Sequence, residues 1–310
     1  MPNPRVIFMG TPDFAVPSLR VLADRDDIEL RLVVTQPDRR AGRGKKMVAP
    51  PVKVVALELD VPILQTDSLR HLDVKQRIID EKPDLIVVAA FGMILGKWIL
   101  ELPRLGCVNL HASLLPRYRG ASPISAAILA GEVISGVTLM QMDRGLDTGD
   151  MLATIELPIE PEDTTESLTP KLADAAAALL DEKLEEILNG NLDATPQPDG
   201  ATETRQLTKD DGRIDWTQSA AQIERQVRAM WNWPRAWTEL TDSSRMQIHQ
   251  ARVAPGSTQS GYLRIDGKRA VVGTGDGDLE LLRVQLPGGT PLEGNALVQR
   301  LREYDDSLLA

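Results

Sequence analysis

Asn109 and His111 stand two residues apart in VNLHASLLPRYRG, at the C-terminal end of an apolar run that reads as a β-strand. Side chains alternate between the faces of a strand, so these two project to the same side. An amide N–H can donate to an oxygen that gains negative charge, and an imidazole can move a proton. The pair therefore suits a reaction at a carbonyl carbon. A second stretch, DRGLDTGD (143–150), follows another apolar run with three carboxylates and two glycines, and Asp147 could reach His111 and hold its ring oriented. Each stretch also has a plainer reading: two polar residues capping a strand, and a solvated acidic turn.

Other chemistries find less support. MGTPDF, after the first apolar run, lacks the glycines of GxGxxG that let a backbone approach a pyrophosphate, so no dinucleotide cofactor is expected. AGRGKK (41–46) resembles a phosphate loop only in outline: Lys46 stands where Ser or Thr would ligate magnesium, and Arg39 where the leading glycine belongs. One cysteine, Cys107, permits no internal disulfide, and the three histidines, His71, His111 and His249, are too scattered for zinc spacing. No metal is expected. His71 and His249 read as surface or packing residues, and Cys107 as a small buried hydrophobe. Four of the five tryptophans fall between Trp216 and Trp237, a grouping that suits a core or interdomain cluster better than a base-stacking platform.

The elements that must position these residues follow from the apolar spacing. RVIFM (5–9) and LRLVVT (30–35) flank a helical stretch, FAVPSLRVLAD, which makes a βαβ unit. Helices near 51–59 and 68–80, and the doubly apolar run LIVVAA (85–90), continue the alternation toward a parallel sheet. GCVNLH (106–111) and GVTLMQM (136–142) add strands, with SPISAAILAG as a helix between them. Residues 163–188 read as one long helix that Pro170 either kinks or opens. NGNLDATPQPDGATET (189–204) then loses all periodicity and reads as a linker. After a helix at 219–230, short alternating runs with Gly/Asp turns suggest a small antiparallel barrel. The expected fold class is thus α/β: a Rossmann-like, mostly parallel domain over 1–188, a linker over 189–207, and an OB-like β-barrel over 208–310.

A chain of 310 residues suits two domains, and 42% hydrophobic with 26% charged residues is an ordinary globular balance. The longest nearly apolar run, LIVVAAFGMIL, is well short of the roughly 18 residues of a membrane span, and the N-terminus lacks a secretory signal pattern. A cytoplasmic protein with no membrane association is expected, and nothing in the sequence calls for an obligatory protein partner. The net charge of −10 argues against a nucleic-acid partner until its distribution is read. Residues 151–200 hold twelve acidic and two basic side chains, whereas Arg39, Arg40, Arg43, Lys45 and Lys46 form a compact basic loop. With little to bury, that loop is expected to be mobile without RNA. It follows the second strand, at the same sheet edge as Asn109 and His111, where phosphates of an RNA could be met; a merely solvated loop is the plainer alternative.

MGTPDFAVPSL, TQPDRRAGRGKK, LELPRLGCVNLHASLLPRYRGASPI and GVTLMQMDRGLDTGD, in this order, resemble the formyltransferase family that uses 10-formyltetrahydrofolate, over essentially the whole chain. The resemblance implies Asn109, His111 and Asp147 as catalytic residues. It implies a folate pocket made by Ser113, Leu114, Leu115 and Pro116 with the backbone from Phe91 through Met93 to Leu95. Together with a tight turn at SLLP, it also implies a cis Leu115–Pro116 peptide. The trio is shared by members acting on different amines, so it does not name the acceptor. RRAGRGKK and the segment KDDGRIDWTQSAAQIERQVRAMWNWPRAWTEL resemble the branch that acts on tRNA, which implies methionyl initiator tRNA as acceptor and Arg39, Arg40, Arg43, Lys45 and Lys46 as tRNA contacts. A folate-dependent enzyme acting on a nucleotide-sugar amine and a non-catalytic tRNA-binding protein are the alternatives. The departures are Arg40, Tyr118, Asn232 and the linker string TETRQL, and none falls on a residue of the trio.

Overall fold

The run LIVVA has no polar face to turn to solvent. In the computed structural model, which describes residues 2–41 and 46–309, it forms the middle strand of a seven-stranded sheet. Strands β1 (Arg5–Gly10), β2 (Glu29–Thr35), β3 (Ile63–Gln65), β4 (Leu85–Ala89) and β5 (Cys107–His111) pair in parallel. Strands β6 (Ile134–Gln141) and β7 (Met151–Pro158) extend the sheet antiparallel, giving the order β7-β6-β5-β4-β1-β2-β3. The β7 strand was not among those expected: its face is half-exposed along an outer edge, so it lacks the apolar run that marks an inner strand.

Helices α1 (Val16–Ala23), α2 (Pro51–Glu58) and α3 (Leu72–Asp80) lie in the connections, with a proline in the first turn of α1 and of α2. One face of the sheet buries Ile7, Met9, Leu32, Val34, Ile86 and Val88 with Val74 and Ile78 of α3. From β1 the chain winds outward through β2 and β3 and then returns to β4 on the other side. The strand order therefore reverses between β1 and β4, and ligands of open α/β sheets bind at the carboxyl ends of strands beside such a reversal.

Helix α4 (Pro123–Ala130) follows β5, and α5 covers Thr165–Leu188. Thr164 and Ser167 cap the start of α5 reciprocally, each side-chain oxygen accepting the other's backbone N–H. The helix therefore begins ahead of Pro170, which lies inside it and leaves one carbonyl of the preceding turn without its usual donor.

The chain divides into two units: Met1–Pro123, Ile134–Pro158 and Thr169–Arg205 in the first, Ile124–Val133, Ile159–Leu168 and Gln206–Ala310 in the second. This differs from the expected boundaries, most of all over 189–205. That stretch is tied into the first unit by reciprocal backbone bonds between Thr195 and Met151, and by Glu203–Thr204 pairing in parallel with Arg119–Gly120. Its Gly, Pro and Asp residues thus belong to a segment held by backbone pairing.

In the second unit, β8 (Ala236–Glu239), β9 (Arg245–Ala254), β10 (Tyr262–Asp266), β11 (Arg269–Gly273) and β12 (Asp278–Gln285) form a curled antiparallel sheet in the order β8-β9-β12-β11-β10, continued by Ser307–Leu308. Helix α6 (Ala220–Ala229), with Ser219 and Gln222 as a capping box, sets Ile223 and Val227 into its core beside Met246, Ile248 and Leu281. Helix α7 (Gly294–Leu301), also not expected, adds Leu297 and Leu301 to the same core. The fold class is as expected: a Rossmann-like parallel sheet and an OB-like antiparallel one.

Candidate active site

Strand β5 carries Asn109 and His111 on one side at its carboxyl end, 8% and 5% exposed. The Asn109 carboxamide makes no hydrogen bond among the described residues, so its donors are free for a ligand. His111 is held at both ring nitrogens. Nε2 lies 2.9 Å from the Tyr118 carbonyl, which can only accept, so this nitrogen bears a proton. Nδ1 lies 3.6 Å from Oδ2 of Asp147, at ion-pair rather than hydrogen-bond distance.

Asp147 comes from the loop after β6, as anticipated, and its Oδ2 accepts the Gly120 N–H at 2.8 Å. Gly120 sits at φ 102°, and a Cβ there would lie 2.2 Å from the Thr204 carbonyl, so only glycine lets the two short strands meet. Three non-glycine residues at this edge of the sheet also take left-handed backbone: Ala90 at φ 44°, Tyr118 at φ 60° and Asp147 at φ 52°. Such conformations persist where surrounding bonds enforce them, and they gather at functional sites.

The SLLP turn is built on a residue that sequence reasoning missed. Thr138 of β6, fully buried, donates to the Ser113 carbonyl at 2.8 Å and accepts the Leu115 N–H at 3.0 Å. Its only signal was a hydroxyl inside the apolar run GVTLMQM. Ser113 Oγ donates to the Arg117 carbonyl at 2.7 Å, and the Leu115–Pro116 peptide is cis, as expected. Ser113 and Leu115 are buried; Leu114 and Pro116 are half-exposed.

Phe91 and Leu95 belong to the core, so what they offer a ligand is backbone. The Phe91 carbonyl is already taken by Thr11 Oγ1 at 3.1 Å and Gln36 Nε2 at 2.9 Å. Met93 is half-buried and Ile94, which had not been singled out, is 85% exposed beside the strand-order reversal.

Arg39–Ala41 and Lys46–Val48 pair as a short antiparallel ribbon, where a mobile loop had been expected throughout; backbone pairing holds the flanks without burial. Arg43 and Lys45 lie outside the described residues. At the ribbon's base, Asp38 accepts Lys53 Nζ at 2.8 Å and Gln65 Nε2 at 2.8 Å, and the Lys53 ammonium draws its carboxyl below the usual range.

The remaining candidates have structural surroundings. Cys107 is buried, and desolvation pushes its thiol up to about 12. His71 is exposed beside Asp67. His249 is buried in the second unit with Nε2 unpartnered, and burial, reinforced by Arg235 and Arg283, lowers its pKa. Trp216 and Trp237 are buried with their N–H groups bonded to Thr238 and Lys209, whereas Trp233 is half-exposed. Among the described residues no cluster of three or more His, Cys, Asp or Glu could hold a metal, and no helix is long and apolar enough to cross a membrane.

Residues 4–184 match the family model described as Formyl transferase, and residues 206–302 match Formyl transferase, C-terminal domain. The chain is 44% identical over 286 residues to the methionyl-tRNA formyltransferase of Geobacter sulfurreducens, covering 92% of this chain and 90% of that one. It is 43% identical over 301 residues to the Pseudomonas fluorescens protein of the same name, covering 96% and 94%. Among solved structures, WlaRD, a sugar 3N-formyl transferase crystallised with dTDP and 5-N-formyl-THF, superposes with a TM-score of 0.66 at 19% identity over 94% of this chain and 100% of that one. Methionyl-tRNA formyltransferase from Clostridium thermocellum gives 0.56 at 16% identity, over 81% and 94%.

Proposed function

The chain belongs to the formyl transferase family, and on that premise we propose that it transfers the formyl group of 10-formyltetrahydrofolate to the α-amino group of methionyl initiator tRNA, giving N-formylmethionyl-tRNA for translation initiation. The observation that carries this reading is the meeting of Asn109, His111 and Asp147 at the carboxyl end of β5. The formyl-folate supplies an activated formyl carbon. As the amine adds, negative charge grows on the formyl oxygen, and the Asn109 carboxamide, on the same side of β5 as His111, has donors free to meet it. His111, with Asp147 beside it, either polarises that oxygen as the cation or moves a proton toward the departing folate nitrogen. A free α-amino group has a pKa of about 8, so a neutral fraction exists near neutrality and no strong base is needed.

The folate fits the residues present. Ile94 and Met93 offer apolar surface next to the strand-order reversal, and the Ser113–Pro116 turn, locked by Thr138, offers rigid backbone. Arg39, Arg40, Arg43, Lys45 and Lys46 meet phosphates of the tRNA, and the second unit supplies further RNA surface. The cytoplasm, where charged tRNA is made, is the place of action that follows from this acceptor.

A nucleotide-sugar amine is the second reading, because the sugar 3N-formyl transferase WlaRD shares the fold. At 19% identity that likeness is one of fold, whereas the identity to methionyl-tRNA formyltransferases extends over both units. An acceptor panel separates the two: charged initiator tRNA, uncharged tRNA, free methionine and a dTDP-amino sugar, each followed by release of tetrahydrofolate. Transfer to charged tRNA alone supports the proposal; transfer to the sugar and not to tRNA rejects it.

A further inference from the structure

Residues 189–205 are mostly exposed, and around Gln197 the neighbours Thr195, Pro196, Pro198 and Asp199 all face solvent. Gln197 itself turns inward and fills every hydrogen-bonding capacity of its carboxamide. Nε2 donates to the carbonyls of Asp147 and Gly149, both at 2.8 Å, while Oε1 accepts from Nε and Nη2 of Arg119 at 3.0 and 2.7 Å. Arg119 lies between Tyr118, whose carbonyl takes the His111 Nε2–H, and Gly120, whose N–H binds the Asp147 carboxylate. One glutamine thus bridges the turn that holds the histidine and the loop that carries the aspartate.

The loop needs such a hold. Asp143, Arg144, Gly145, Leu146, Thr148 and Asp150 are exposed, so little core packing fixes it, and Asp147 sits in a left-handed conformation, which is uncommon for any residue but glycine. Gly149 presses against the Gln141 carbonyl, where a Cβ would come within 1.9 Å, so the far end of the loop is pinned closely as well.

We propose that Gln197 is a positioning residue for formyl transfer: it sets the Asp147 carboxylate against His111 by holding the Asp147 and Gly149 carbonyls, and it ties them through Arg119 to the turn that orients the imidazole. This rests on the reading of Asn109, His111 and Asp147 as the reacting group. A purely structural role, fastening 189–205 to the first unit, could use either end of the bridge and would leave kcat unchanged in a variant that stays folded.

The two ends are separable by substitution. Gln197→Glu keeps the Arg119 tie as a charge-assisted pair but turns a carboxylate oxygen toward the two loop carbonyls, which repel it. Gln197→Ala removes both ends. Steady-state kinetics of both variants, alone and in an Asp147→Ala background, with thermal melts to verify folding, tests the assignment. The expected result is a kcat lowered roughly 10-fold or more in both single variants, since small misplacements of catalytic groups carry losses of that order. The KM for formyl-folate stays unchanged, both variants remain folded at the assay temperature, and Gln197→Ala adds no loss once Asp147 is absent. Wild-type kcat in Gln197→Glu, or a full multiplicative loss in the Asp147→Ala background, overturns the proposal. Wild-type kcat in Asp147→Ala itself overturns the underlying reading of the site and the proposal with it.

Discussion

His111 Nε2 donates to the carbonyl of Tyr118 at 2.9 Å, which fixes the imidazole with Nδ1 toward Asp147, 3.6 Å away. Orientation of the ring is thus a backbone property, and the Asp147 charge is a separate contribution. Asp147→Asn tests the division, because the amide retains an oxygen for the Gly120 N–H and loses the charge. A drop in kcat of roughly 100-fold, comparable to removing an electrostatic partner of a developing charge, is expected with KM for formyl-folate unchanged. Near-normal turnover would assign Asp147 to holding Gly120 alone.

Asn109→Ala removes the free donor at the end of β5. It should lower kcat by roughly 100-fold or more, the range for loss of one oxyanion donor, while equilibrium binding of formyl-folate holds. Weakened binding with intact kcat would move Asn109 from the transition state to ground-state contact.

Thr138→Val keeps the shape and deletes both hydrogen bonds that lock Ser113 and Leu115. Leaving a buried N–H and carbonyl unpaired costs about 1–3 kcal/mol each, so the melting temperature should fall. The KM for formyl-folate should rise with it; an unchanged KM in a folded variant would separate this turn from the folate.

His249 gives the second unit a pH dependence. Burial lowers its folded pKa, so below about 6.5, where the unfolded chain takes up the proton and the folded one resists, stability falls with falling pH. Above that value this contribution is constant. Urea unfolding at a series of pH values from neutral downward should show a steeper loss for the wild type than for His249→Gln, and parallel curves would contradict the assignment.

Substituting Arg39, Arg40 and Lys46 together with alanine should weaken tRNA binding at every sequence tested. Each lost phosphate contact should flatten the slope of log K against log salt by ~0.7–0.9. Filter binding across a salt series reads this directly, and an unchanged slope returns the ribbon to a solvated surface.

Much of this was legible because it is periodic. LIVVA could only be an inner strand, and the spacing of Asn109 and His111 at a strand end placed both on one side. Non-periodic features escaped. Gln197 lies in a segment whose composition signals turns and whose ties are hydrogen bonds to distant backbone, and Thr138 is one hydroxyl in an apolar strand. Strand β7 is half-exposed, so burial leaves little trace in its sequence. The basic ribbon read as a loop because five cations hide the backbone pairing at its ends.

The central claim, that His111 and its partners carry formyl transfer to charged tRNA, is tested most directly by a single-turnover reaction. His111→Ala is mixed with saturating 10-formyltetrahydrofolate and methionyl initiator tRNA, and N-formylmethionyl-tRNA is quantified against time. The expected result is a rate for the transfer step lowered by roughly 100-fold or more relative to wild type, with both substrates still bound. Transfer by His111→Ala at the wild-type rate would contradict it.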